Sequence, residues 1–247
     1  MTLVLRQRLA RWFVILLGGW LLLSTSLVTV AVYQKPSHRA VLGMGWGLIV
    51  LWILVGGSLT FFLRERVRRS LGGVRLDWRF QFVLFATLLA LIEEAITTTM
   101  TNLAPWFGVK IGEAYITASA NYLDVVGLHS VVMFVGMFVG WALLLWRWWF
   151  SPFQVFLLFG ITGLLAESLT FGLQNLTQFG LWIFVYGLMV YLPAYCVPQD
   201  RAARPVRWWH FPLAMVIPIL CVPLSPFPWI RFLFFPGHPD LHFPPIQ

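Results

Sequence analysis

Charge is scarce in this 247-residue sequence: Asp, Glu, Lys and Arg together make up 11% of it, against roughly 25% in soluble domains. A chain so short of charge cannot cover a water-soluble surface. Lysine is scarcer still, with only Lys35 and Lys110, and neither lies inside a long apolar run. That excludes a seven-helix retinal protein, which needs a lysine within a helix for its Schiff base. The two cysteines, Cys196 and Cys221, fall in or near separate apolar segments without CxxC or metal-type spacing. This argues against a disulfide framework or a thiolate metal site and leaves both as packing residues.

What fills the chain instead is apolar. Hydrophobic residues make up 60% and the mean hydropathy is +0.81, which together define a polytopic membrane protein. Basic residues outnumber acidic ones 17 to 9, for a net charge of +8. The arginines collect at the ends of apolar runs, where they act as topology signals and headgroup contacts, so no nucleic-acid partner is expected.

Measured against a span of about 20 residues, the sequence predicts an all-α integral membrane protein with about seven transmembrane helices. The candidate spans are 12–33, 40–63, 80–101, 126–146, 152–172, 179–197 and 208–228. Segment 102–125 reads as interfacial or re-entrant, and 229–247 as a proline-rich tail. With the N-terminus cytoplasmic, only Lys35, Arg39, Lys110 and Arg231 of the 17 basic residues fall outside, so an odd span number and an outer C-terminus fit best. The expected location is the plasma (inner) membrane, in contact with the lipid bilayer. A cleaved signal peptide is a weaker reading of the first span, whose apolar run is long and whose Thr29 and Ala31 make a poor cleavage site.

Within the third span stand two adjacent carboxylates, Glu93 and Glu94. An ionisable group at bilayer depth is costly unless protonated, paired or wetted, and so marks a candidate functional site. Counting ~1.5 Å per residue from the arginine-rich ends, Glu93 lies about 20 Å up its helix, Glu167 about 22 Å and His129 about 25 Å. Three helices thus carry ionisable groups at nearly one level. Glu94, Thr97, Thr98 and Thr101 share one face, as do Gly160, Gly163, Glu167, Thr170 and Gln174. His129, Met133, Gly136 and Gly140 form a third stripe with a small-xxx-small contact. Glu93, Glu94, His129 and Glu167 are therefore the candidate catalytic residues, with Thr97, Thr98 and Thr101 around them. The threonines equally well bond their own helix backbone.

The glutamate pair resembles the EExxxR motif of intramembrane glutamate proteases of the CAAX-processing type. The match stops at the glutamates: Thr98 stands at the arginine position, Val125 where FxxxH needs Phe, and the later His-Asn motif is absent. A PrsW-type EExxK pattern meets Thr97 in place of lysine. No membership is assigned on two residues. His238 and His242 resemble the HxxxH of seven-helix zinc amidases of the ceramidase and progestin-receptor type, with Asp240 between them. The proline-rich setting favours a coincidence of spacing, because i, i+4 alignment is a helical property. His238, His242 and Asp240 are kept as candidate metal ligands, and no cofactor is specified. An intramembrane hydrolase with Glu as general base is the leading expectation, acting on a lipophilic or membrane-embedded substrate. The alternatives are a small proton-coupled transporter and a non-catalytic subunit or assembly factor with a protein partner.

Overall fold

The structure, a computed structural model, describes residues 3–244 and 246. Helix α1 (Leu3–Val32) turns into α2 (Pro36–Leu48), which runs through a π-helical stretch (Ile49–Gly56) into α3 (Gly57–Gly72). Then come α4 (Trp78–Asn102), a 3-10 turn (Ala104–Phe107), the short α5 (Tyr122–Asp124), a π-helical turn (Val125–His129) and α6 (Val131–Arg147). Next are helices α7 (Pro152–Phe171) and α8 (Phe179–Cys196), and α9 (His210–Cys221) and α10 (Pro226–Phe234) end the helical part. A two-residue parallel pair, β1 (Trp148–Trp149) with β2 (Arg204–Pro205), ties two loops together at the arginine-rich end.

Local sequence explains the sharp starts. Asp77 caps α4 by accepting from the Arg79 backbone N–H at 2.8 Å. Ser151 and Gln154 close a capping box at the start of α7, with Pro152 at the first position, where its missing N–H costs nothing.

Among the described residues, five helical stretches are long and apolar enough to cross a bilayer, and the pair Tyr122–His129 and Val131–Arg147, bent by 47°, makes a sixth if taken as one broken span. The protein is thus an all-helical, multi-pass integral membrane protein. Its apolar side chains face outward as well as inward: Val30, Phe62 and Leu88 are all exposed. The stretch predicted as span 208–228 takes another form, a 12-residue α9 and a separate 9-residue α10. Pro218 lies inside α9, and Pro223 breaks the backbone between the two helices.

Without a hydrophobic driving force between helices in lipid, close backbone approach holds the bundle. A Cβ on Gly136 would meet the backbone of Val222 at 2.7 Å, and one on Gly140 that of Pro218 at 2.6 Å, so α6 seats directly on α9. The α7–α8 seam is built alike: Gly160 faces the Ile183 backbone and Gly187 faces Phe156. Part of the glycine stripe read from α7 therefore serves this seam. Helix α4 packs against α6 and α8, which places its glutamates between them.

Candidate metal centre and buried carboxylates

Glu93 and Glu94 are both buried on α4. Thr97 donates to a Glu94 carboxylate oxygen at 3.2 Å, and Ser130, whose hydroxyl donates to Val125 C=O at 3.3 Å, lies beside Glu94. On α7, half-buried Glu167 accepts a hydrogen bond from the Tyr186 hydroxyl of α8. Glu93 adjoins Glu94 in the chain and lies near Glu167. Three of the four predicted catalytic residues therefore gather at one place, with Tyr186 as an added member that the sequence reading missed. Its ring lies over Gly163, where a Cβ would come within 2.1 Å of it.

The threonines divide. Thr97 bonds its own helix at Glu93 and Glu94, as threonines in membrane helices do, while Thr101 accepts from the Ile116 backbone N–H at 3.2 Å. Thr98 is buried and its hydroxyl has no partner among the described residues.

His129 belongs to a different group. The π-helical turn bonds Ser130 N–H to Val125 C=O at 3.0 Å, five residues back, and this wider winding stacks positions five apart. Asp124 and His129 are so spaced, and their Oδ2 and Nε2 atoms lie 3.5 Å apart. Both His238 and His242 reach the same point from the tail. The Nε2 of His238 lies 3.1 Å from that of His129 and 3.2 Å from that of His242. Asp124 places Oδ1 2.9 Å from His238 and Oδ2 3.1 Å from His242.

The tail is held in place without being helical. His242 N–H donates to Ala118 C=O at 2.9 Å. Phe243 stacks on Tyr115 with ring centroids 4.7 Å apart, and the Tyr115 hydroxyl donates to Pro244 C=O at 3.1 Å. The segment 102–125, read from sequence as interfacial, is thus the platform on which the tail lies. Asp240 turns away: it is 94% exposed and pairs with Arg231, which also donates to the His238 carbonyl. Asp124 stands where Asp240 was expected. Its sequence signal was the five-residue step to His129, legible only once a π turn is assumed.

Four ligand atoms, three imidazole nitrogens and one carboxylate oxygen, lie within 4.8 Å of one another. Zinc bonds imidazole nitrogen at about 2.0–2.1 Å, so tetrahedral donors stand about 3.3–3.4 Å apart. Neighbouring ligand atoms at 2.9–3.5 Å come close to that shell, although the full set of four spreads to as much as 4.8 Å. Hydrogen bonding does not explain them as well. Asp124 Oδ2 is buried near two imidazole nitrogens, yet is aligned for a hydrogen bond with no described residue. Chemically the donor set fits a borderline transition ion such as zinc better than calcium or magnesium, which prefer all-oxygen shells. Ser130, next in sequence to His129, brings this centre beside the carboxylates at Glu94.

Fold and site together define a polytopic membrane protein with a His/Asp centre at the end of the bundle away from Arg79 and Arg147. Among known proteins, the chain is similar to a cytochrome c-type biogenesis protein, CcmF, of Pseudomonas fluorescens, at 31% identity over 138 residues. That match covers 54% of this chain and 20% of the relative, so the chain spans about a fifth of the relative's length. No family model and no solved structure matches it.

Proposed function

We propose that this protein is a zinc-type, metal-dependent hydrolase of the bacterial inner membrane, working at the outer face on a lipophilic or membrane-embedded substrate. The observation that carries the reading is the convergence of His129, His238 and His242 with Asp124. The three imidazoles would hold the ion. A zinc ion so held lowers the pKa of bound water to about 7. Asp124 is the carboxylate placed to accept that proton, through the buried oxygen that lacks a hydrogen bond. The base expected from sequence, Glu94, then becomes a positioning residue, since it lies beside Ser130 on the turn that carries His129. Water added across an acyl bond releases an acid and an alcohol or amine. The exposed edge of His242 leaves the centre reachable from the aqueous side.

Metal analysis of the purified protein, with turnover of lipid-linked ester and amide substrates, tests this. Stoichiometric zinc is expected, with Asp124→Asn retaining zinc while losing turnover about 10²-fold or more. A protein that takes up no transition metal sinks the reading.

A second reading rests on the similarity to a cytochrome c biogenesis protein. In it the protein is a non-catalytic assembly factor, and the ion fixes the tail as a partner surface. Its mark is loss of mature cytochrome c in a deletion strain, restored by Asp124→Asn.

A further inference from the structure

A second site lies at the arginine-rich end, far along the helices from the His/Asp centre. Helices α1, α3, α7 and α8 leave between them a partly open cleft of about 650 Å³, within the range of sites that hold small ligands. Its walls are apolar: Val14, Leu21, Phe62 and Phe184 are among the lining residues. Two glycines, Gly18 and Gly57, keep it open, and a Cβ at Gly18 would touch nothing within 4 Å.

Length and charge narrow the occupant. On α1 the lining runs from Ala10 to Leu22, about 18 Å at 1.5 Å per residue. A bilayer core of about 30 Å gives each leaflet about 15 Å, so the cleft is one leaflet deep. Cations stand at its interfacial end. Arg11 lines the cleft, and the Arg64 guanidinium lies 3.8 Å over the ring of Phe61, another lining residue. Tyr191 adds a hydroxyl-bearing side chain to the lining near Arg64. The nearby acid, Glu65, already pairs with Arg68 at 3.2 Å, so a neutral lipid would leave Arg11 and Arg64 with more positive charge than that one carboxylate matches. Phosphate and guanidinium pair well, with the arginine fork meeting two oxygens at once.

The geometry points to a binding site for one anionic phospholipid, with an acyl chain in the cleft and its phosphate at Arg11 and Arg64. This site is independent of the His/Asp centre and does not require hydrolase activity.

The test uses the full chain in phosphatidylcholine nanodiscs containing phosphatidylglycerol as a minor component, with retained lipid read by native mass spectrometry. Wild type is expected to carry out one phosphatidylglycerol. Gly18→Phe fills the cleft and should carry none, with helical content and Tm confirming its fold. The double change Arg11→Gln with Arg64→Gln should cut the preference for phosphatidylglycerol by about 25-fold, at about fivefold per cation, and it decides the matter if Gly18→Phe fails to fold. Excess inorganic phosphate should leave retention unchanged. The assignment is overturned if wild type carries the two lipids in the ratio of the disc, if a folded Gly18→Phe or the arginine double variant behaves like wild type, if phosphate displaces the lipid, or if a protein segment occupies the cleft.

Discussion

Replacing His238 by alanine tests the metal centre most directly. Its Nε2 stands 3.1 Å and 3.2 Å from the other two imidazole nitrogens and 2.9 Å from Asp124, so it sits among all three other donors. Structural zinc sites with four ligands are worth about 10–16 kcal/mol at neutral pH. Shared among the ligands, that is about 2.5–4 kcal/mol each, or two to three decades in affinity. His238→Ala should therefore weaken zinc binding about 10²- to 10³-fold in competition with a chromophoric chelator. Stability gives a second readout. Zinc at a hundred times its Kd adds about 2.7 kcal/mol to the folded state, so Tm should rise with zinc in wild type and stay flat in the variant. Asp240→Asn is the internal control, because Asp240 faces solvent and Arg231 instead of the centre. Equal loss of zinc in Asp240→Asn and His238→Ala would refute the geometry, as would a wild type whose Tm ignores zinc.

Three further outcomes are expected. Tyr115→Ala removes the ring stack on Phe243 and the bond to Pro244, together worth about 1.5–2.5 kcal/mol of tail docking; zinc affinity should fall about 10- to 60-fold although no ligand is touched, as the chelator titration would show. Gly140→Ala forces a Cβ to 2.6 Å from the Pro218 backbone and should destabilise the α6–α9 contact by about 1–3 kcal/mol, whereas Gly45→Ala, with nothing within 4 Å, should leave Tm unchanged or raise it. The Arg79 guanidinium, and next its backbone amide, hold the Asp77 carboxyl down to about 2. A depressed acid stabilises the fold above its unfolded pKa of about 3.9 and loses that contribution as pH falls toward 2, so the Tm gap between wild type and Asp77→Asn should close across that window.

The helices that cross the membrane were legible because each advertises itself over twenty residues, and their ends are marked by Asp77, by Ser151 with Pro152 and by runs of arginine. The last one was harder to read. Between 208 and 228 composition is apolar enough for a span, but Pro218 and Pro223 matter more to the backbone than hydropathy does, and the chain forms two short helices. On regular helices depth and face point to Glu93, Glu94 and Glu167, which lie near one another in the structure. His129 shares their depth and heads a stripe of its own, yet lies in a different cluster. Its surroundings depend on a π turn and on a tail that arrives from more than a hundred residues away, and neither leaves a periodic trace. The HxxxH spacing of His238 and His242 is visible in the sequence, but helical alignment is not what brings the two together. A helix is one way to bring i and i+4 together; a tail pinned at Ala118 and Tyr115 is another.

That separation of His129 from the glutamates changes what the intramembrane carboxylates mean. A single pocket would have made Glu94 compete for the ion or the water. Two adjacent groups, meeting at Ser130, divide the work instead: the His/Asp centre is open at the edge of His242, while Glu94 is buried beside Glu93 and Glu167. Carboxylates brought together away from water are stable only where protons or hydrogen-bond donors offset their mutual repulsion. Thr97 and Tyr186 are those donors, to Glu94 and Glu167 respectively, and Ser130 lies beside Glu94. Together they make a polar knot between α4, α7 and α8, next to the turn that carries His129. Glu94→Gln, which keeps the shape and the acceptor oxygen, should then leave zinc binding nearly intact, whereas Ser130→Ala, which cuts the link to the ligand turn, should weaken it. If the glutamine change alone releases the metal, Glu94 is a ligand and the two groups are one site.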